Sequence, residues 1–147
     1  MAMQLTRAGE YAVKSLVYLA TQPLDARVMA SEVAAAEHIP VNFVRKILES
    51  LAKTGLVKSY RGAGGGFVLG RTAEQITLRQ VIEAIEGPLA LNQCLLPSAC
   101  EQLPTCPMSH IWAEAQRAVE DVLDRYSLAD VVRTRELRRQ NGLAPVD

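Results

Sequence analysis

The chain has 147 residues, 49% of them hydrophobic, and its 16 Lys/Arg balance 16 Asp/Glu. That length and content support one compact domain, or a small domain with an extension, and no apolar run approaches the roughly 20 residues that cross a bilayer as a helix. Zero net charge selects no partner, but residues 1–71 carry nine Lys/Arg against five Asp/Glu, and residues 72–147 carry seven against eleven.

The basic half reads as helices followed by a hairpin. Thr6 is a candidate N-cap, and Ala8, Tyr11, Ala12, Leu16, Leu19 and Ala20 follow a helical stripe that Pro23 and Asp25 end. Ser31 is expected to cap a short helix over Glu32 to Glu37, and Pro40 to sit in the first turn of a third. In that third helix Phe43, Val44, Ile47, Leu48 and Leu51 share one face. Asn42, Arg45, Lys46, Glu49 and Lys53 share the other, and Gly55 is the stop. His38, in the turn between the two, is expected to be structural.

Two β-prone runs follow, Leu56 to Tyr60 and Phe67 to Leu69, separated by Arg61-Gly-Ala-Gly-Gly-Gly66. A phosphate-cradling loop would need a helix directly after the glycines, and here a strand follows. The order of elements predicts a mainly α fold with a small β-hairpin wing: a winged helix-turn-helix that binds a double-stranded DNA operator. Asn42 and Arg45 are then candidates for base edges. Arg7, Lys46, Lys58 and Arg61 are candidates for phosphates or the minor groove, with Gly64 at the wing tip. The bland alternative is a solvated charged face on a structural helical domain. Element order and the basic excess favour the reading head.

Thr77-Leu-Arg-Gln80 has the form of a capping box, opening a helix through Val81, Ile82 and Ile85 that Gly87-Pro88 stops. After Pro107 a long helix is expected to run to about Tyr126. Its apolar face of Ile111, Trp112, Ala115, Ala118, Val119, Val122, Leu123 and Tyr126 is wider than one neighbour needs. A homodimer through this helix is the expectation, beside the simpler one that it packs back on its own head. From Ser127 a short capped turn and an Arg-rich tail, with Arg133, Arg135, Arg138 and Arg139, are expected to fray. The organisation is thus a reading head over 1–87, a cysteine loop over 88–107, a dimerisation helix over 108–126 and a C-terminal turn and basic tail over 127–147.

All three cysteines, Cys94, Cys100 and Cys106, fall in one stretch with Pro97, Pro104 and Pro107. On a helix, six-residue steps turn about 600° and place the thiols on three different faces. On a strand they would stand about 20 Å apart. Only a folded-back loop brings them together, and the prolines favour one. Three buried small hydrophobes would not cluster so, and a disulfide framework fits neither an odd count nor an N-terminus without the apolar run of an export signal. The reducing cytoplasm is therefore the expected compartment, where clustered thiols signal metal or redox chemistry. Zinc and iron-sulfur both satisfy the spacing. No paired acid-base groups suggest an enzyme.

Met3-Gln-Leu-Thr-Arg-Ala-Gly-Glu-Tyr-Ala-Val13, Leu51-Ala-Lys-Thr-Gly-Leu-Val57, the glycine wing and the three cysteines, in this order, resemble the Rrf2 family of bacterial transcription regulators. The resemblance covers about residues 3 to 126. It implies a homodimeric winged-helix regulator whose cysteine loop binds an iron-sulfur cluster, 2Fe-2S or 4Fe-4S, with cluster state controlling DNA binding. It further implies a repressor answering to iron, redox or nitric oxide status. Three thiolates leave one ligand to find. The family offers two places for it: a histidine shortly after the third cysteine, here His110, one residue late, or an acidic residue near the partner's N-terminus, here Glu10. A partner ligand would couple the cluster to dimer geometry, which favours Glu10. Arg45 departs from the glutamate that family members can carry, and so implies guanine where glutamate implies cytosine. A zinc-stabilised regulator without redox sensing, or an iron-sulfur electron carrier needing no reading head, are the alternatives.

Overall fold

The computed structural model describes residues 5–95 and 105–142. Among these residues there are six helices: α1 (Arg7–Thr21), α2 (Ala30–Glu37), α3 (Val41–Lys53), α4 (Leu78–Glu86), α5 (Ser109–Arg125) and α6 (Leu128–Gln140). Strands β1 (Val57–Tyr60) and β2 (Gly66–Leu69) pair antiparallel between α3 and α4, with Val57 opposite Leu69 and Tyr60 opposite Gly66. Single turns of 3-10 helix lie at Ala73–Gln75 and Gln93–Leu95. The architecture is mainly helical with a two-stranded wing, a winged helix-turn-helix.

Local chemistry accounts for the boundaries. The Thr6 hydroxyl accepts from the Gly9 amide at 3.2 Å and starts α1. Thr77 and Gln80 cap each other at the start of α4, the Gln80 amide donating to the Thr77 hydroxyl at 3.2 Å and the Thr77 amide to Gln80 Oε1 at 3.0 Å. His38 ends α2 in the left-handed region at φ +55, a conformation that histidine enters more readily than most residues. The turn it makes leads through buried Ile39 to Pro40, the N-cap of α3. Leu16, Val33, Val44, Leu48, Leu51, Ile76, Val81 and Leu128 then close a single core between α1, α2, α3, α4 and the start of α6.

Three expectations change. Helix α2 begins at Ala30, so Ser31 lies inside its first turn; the cap comes from within, the Glu32 carboxylate accepting from the Met29 amide at 2.6 Å. Phe43 is half exposed, not core. One residue before Val44, it points about 100° away from the buried row, and it packs edge-on against Tyr11 with ring centres 6.1 Å apart.

The C-terminal segment does not fray at Ser127 but forms α6. Ser127 and Asp130 make a second reciprocal capping box, and the Leu128 amide donates to the Ile76 carbonyl at 2.9 Å. Leu128 is fully buried, Val131 and Val132 pack on the core, and Arg135 pairs with Glu37 of α2 at 2.8 Å. Little of this shows as periodicity, because the anchoring apolar residues crowd the first turn. The Ser127 hydrogen bonds hold the Asp130 carboxyl below its ordinary value. Their contribution is therefore present above the ordinary carboxylate range and fades as pH falls through the lowered pKa.

A candidate DNA-reading head and cysteine loop

Packing Val44, Ile47, Leu48 and Leu51 inward turns the other face of α3 to solvent, where Asn42, Arg45 and Lys46 are all exposed. Lys58 on β1 and Arg61 and Gly64 on the wing are exposed as well. Among the described residues, Arg7, Arg45, Lys46, Lys58 and Arg61 form no ion pair, so their charges are available to phosphates. Arg45 and Glu49 of α3 share a cleft of about 280 Å³ with Ala30 and Ser31 of α2 and Tyr60 and Gly62 of the wing. Helix α3, the wing and the N-terminal turn of α2 thus open onto one groove, and a helix N-terminus favours anions. Arg7 does not line this cleft. It begins α1, where the Thr6 amide donates to the Glu86 carboxylate at 2.8 Å and the Thr6 hydroxyl bonds the same oxygen.

The wing is held by a residue outside the predicted set. Arg27 lies with its guanidinium 3.9 Å from the centre of the Tyr60 ring and donates to the Gly64 carbonyl at 2.8 Å. Next to it, Val28 exchanges two backbone hydrogen bonds with Phe67, 2.9 and 2.8 Å, adding a third backbone segment to the hairpin. Gly66 makes that approach possible: at φ +142, any Cβ would meet the Val28 backbone. No motif marks Arg27; an isolated arginine between two helices is ordinary. Its stacking and hydrogen bond together are worth about 1–2 kcal/mol. Arg27→Ala should therefore speed amide exchange at Gly65, whose N–H bonds Gly62 across the tip, by about fivefold or more. Exchange there at the unchanged rate would show that the turn holds itself.

The cysteine loop is described at its two ends. Cys94 lies in the 3-10 turn and Cys106 just before α5; both are free thiols and half-buried. The Cys106 carbonyl accepts from the Ser109 amide at 3.3 Å and its hydroxyl at 3.0 Å, which ties the thiol's backbone to the first turn of α5. Cys100, Pro97 and Pro104 lie outside the described residues. His110 is exposed, and Glu10 is exposed and paired with Lys14 at 3.0 Å. Among the described residues no three of His, Cys, Asp and Glu are gathered as a metal-binding group, so within one chain neither Glu10 nor His110 joins the two cysteines. By donor chemistry two free, half-buried thiols fit soft metals and iron-sulfur clusters.

Between Gly87 and Cys94 the chain is anchored on both sides. Gln116, nearly buried on α5, accepts from the Leu91 amide at 2.8 Å through Oε1 and donates through Nε2 to the Leu89 carbonyl at 2.5 Å and the Glu120 carboxylate at 2.8 Å. Glu83 of α4 accepts from the Leu89 amide at 3.2 Å. Arg79 joins the two helices, reaching Asp124 at 3.0 Å, Glu83 at 3.3 Å and Glu120 at 3.4 Å. The hydrogen bonds to Asp124 and Glu83 push its guanidinium further above its ordinary range.

A family model, Rrf2, described as an iron-dependent transcriptional regulator, matches residues 5–134. The chain is 33% identical over 132 residues to the transcriptional regulator NsrR of Bacillus licheniformis, covering 88% of this chain and 92% of that one. Among solved structures, the global cysteine regulator CymR of B. subtilis superposes with a TM-score of 0.74 at 26% identity, over 90% of this chain and 98% of that one. IscR of T. potens superposes with a TM-score of 0.72 at 26% identity, over 91% and 89%. A glycine-tipped wing beside an exposed, unpaired basic helix is what a DNA reader requires, and the match runs through it into α6: the protein belongs to the Rrf2 family of transcriptional regulators.

Proposed function

We propose that the protein is a cytoplasmic, homodimeric DNA-binding repressor whose hold on its operator is set by an iron-sulfur cluster on Cys94, Cys100 and Cys106. The observation that carries this is the confinement of every cysteine to one proline-broken stretch, in a family described as iron-dependent. NsrR and IscR, to which the chain is similar, are named regulators. The cluster, 2Fe-2S or 4Fe-4S, supplies a redox-labile cross-link between the two ends of the loop. The protein does the rest. Cys94 and Cys106 bring the segments after α4 and before α5 to one place, and Glu10 of the partner subunit, or His110, completes the ligand set. Lys46, Lys58, Arg61 and Arg7 neutralise phosphates, Gly64 allows the wing backbone to approach, and Asn42 and Arg45 meet base edges. Opening the loop shifts α5 and with it the spacing of the two reading heads, a population shift set by ligation.

The test uses a site selected from random duplex DNA by the cluster-loaded protein. Stripping the cluster should change affinity for that site by at least about tenfold, in keeping with the usual size of coupling between sites. Arg45→Ala should cost about 1–3 kcal/mol on the selected site and relax preference at one base pair. Arg61→Ala should weaken selected and scrambled DNA alike and flatten the salt slope by about one. Equal loss on both DNAs for Arg45→Ala would mean that α3 does not read bases.

A further inference from the structure

Gln116 is the one buried residue of α5, and it is a carboxamide where a leucine would pack α5 onto α4 without desolvating any polar group. Its two polar atoms pair with the backbone of Leu89 and Leu91, as a neighbouring strand would, and so fix the register of the chain that reaches Cys94 three residues later. The same Nε2 binds Glu120, and Glu120 meets Arg79, which also holds Glu83 and Asp124. Such a connection is either made in one register or broken, whereas an apolar contact slides.

We propose that Gln116 is a positioning residue that pins the arm carrying Cys94 to α5, so that the firmness of Cys94 as a ligand is set in part from the long helix. This rests on the reading of Cys94 as a cluster ligand given above. Three and six residues on, α5 carries the exposed apolar residues Val119 and Val122, about 60° and 120° round the helix from Gln116, so a disturbance at Cys94 reaches the proposed dimer face through a single helix.

Full-length protein is compared with Gln116→Leu, Gln116→Glu and, as a control for general loss of stability, Val81→Ala in the buried core of the head. In reduced, cluster-free protein, Gln116→Leu should speed iodoacetamide alkylation of Cys94 by about fivefold or more, since both hydrogen bonds to the arm are lost and each is worth about that factor, with Cys106 unchanged. Gln116→Glu keeps the acceptor for Leu91 but sets a carboxylate oxygen against the Leu89 carbonyl and the Glu120 carboxylate, and should speed alkylation of Cys94 at least as much. In protein loaded with ferrous iron and sulfide, the visible absorption should decay in EDTA faster in the same order. Val81→Ala should melt earlier and leave both rates as they are. An unchanged Cys94 rate, an equal rise at Cys94 and Cys106, or the same rise in Val81→Ala would overturn the proposal. Wild-type protein that takes up no iron would refute the cluster reading alone, and the alkylation rates would still decide the role of Gln116.

Discussion

Replacing Cys94, Cys100 or Cys106 singly by alanine should abolish the visible iron-to-sulfur absorption of the anaerobically purified protein, with iron and sulfide lost together. Removing a hydrogen-bonding neighbour of a metal ligand already costs about 10–100-fold in affinity, and removing the ligand itself should exceed that. The substitutions should leave the reading head folded, because Cys94 and Cys106 are half-buried and neither belongs to the core around Leu16, Leu48 and Val81. Helical circular dichroism should therefore be retained while the colour is not. A variant that keeps full iron and sulfide would remove that cysteine from the site.

The second large effect is expected on assembly. Met108, Ile111, Val119 and Val122 are 41, 44, 39 and 45% exposed, and together they run along one side of α5 and its N-cap at spacings of three and eight. Gln116, Glu120 and Asp124 take the side facing α4. Covering four such side chains is worth about 1 kcal/mol each on each copy, which suits a stable helix pair. Val122→Glu would bury a carboxylate without a counter-ion at a cost of several kcal/mol in rough terms. Sedimentation should show monomers at micromolar concentration, with the melting of the winged head little changed. An intact dimer would move the interface off α5.

What was legible in the sequence was what local chemistry decides. Thr6, the Thr77/Gln80 box, Gly55, Gly87 and the glycine run between two strands each carry their instruction within a few residues, and each appears in the structure where expected. Apart from the cap of α2, which Glu32 supplies in place of Ser31, what was not legible depended on contacts distant in the chain. Helix α6 is stabilised by Ile76 and Glu37, some 50 and 98 positions away from Leu128 and Arg135, and its own residues show almost no amphipathic face. Arg27 gains its role only when Tyr60 and Gly64 are folded beside it, and Gln116 only when Leu89 and Leu91 are laid against α5. Glu10 and His110 are rival fourth ligands on the sequence, and among the described residues neither is gathered with Cys94 and Cys106 into a group of three.

Anaerobic purification followed by absorption spectroscopy with iron and acid-labile sulfide counts tests the central claim most directly. A coloured protein with a visible charge-transfer band, carrying iron and sulfide in equal numbers on each chain, is the predicted result. A colourless protein that carries zinc on the same cysteines, or no metal under conditions where the thiols are fully reduced, would contradict it.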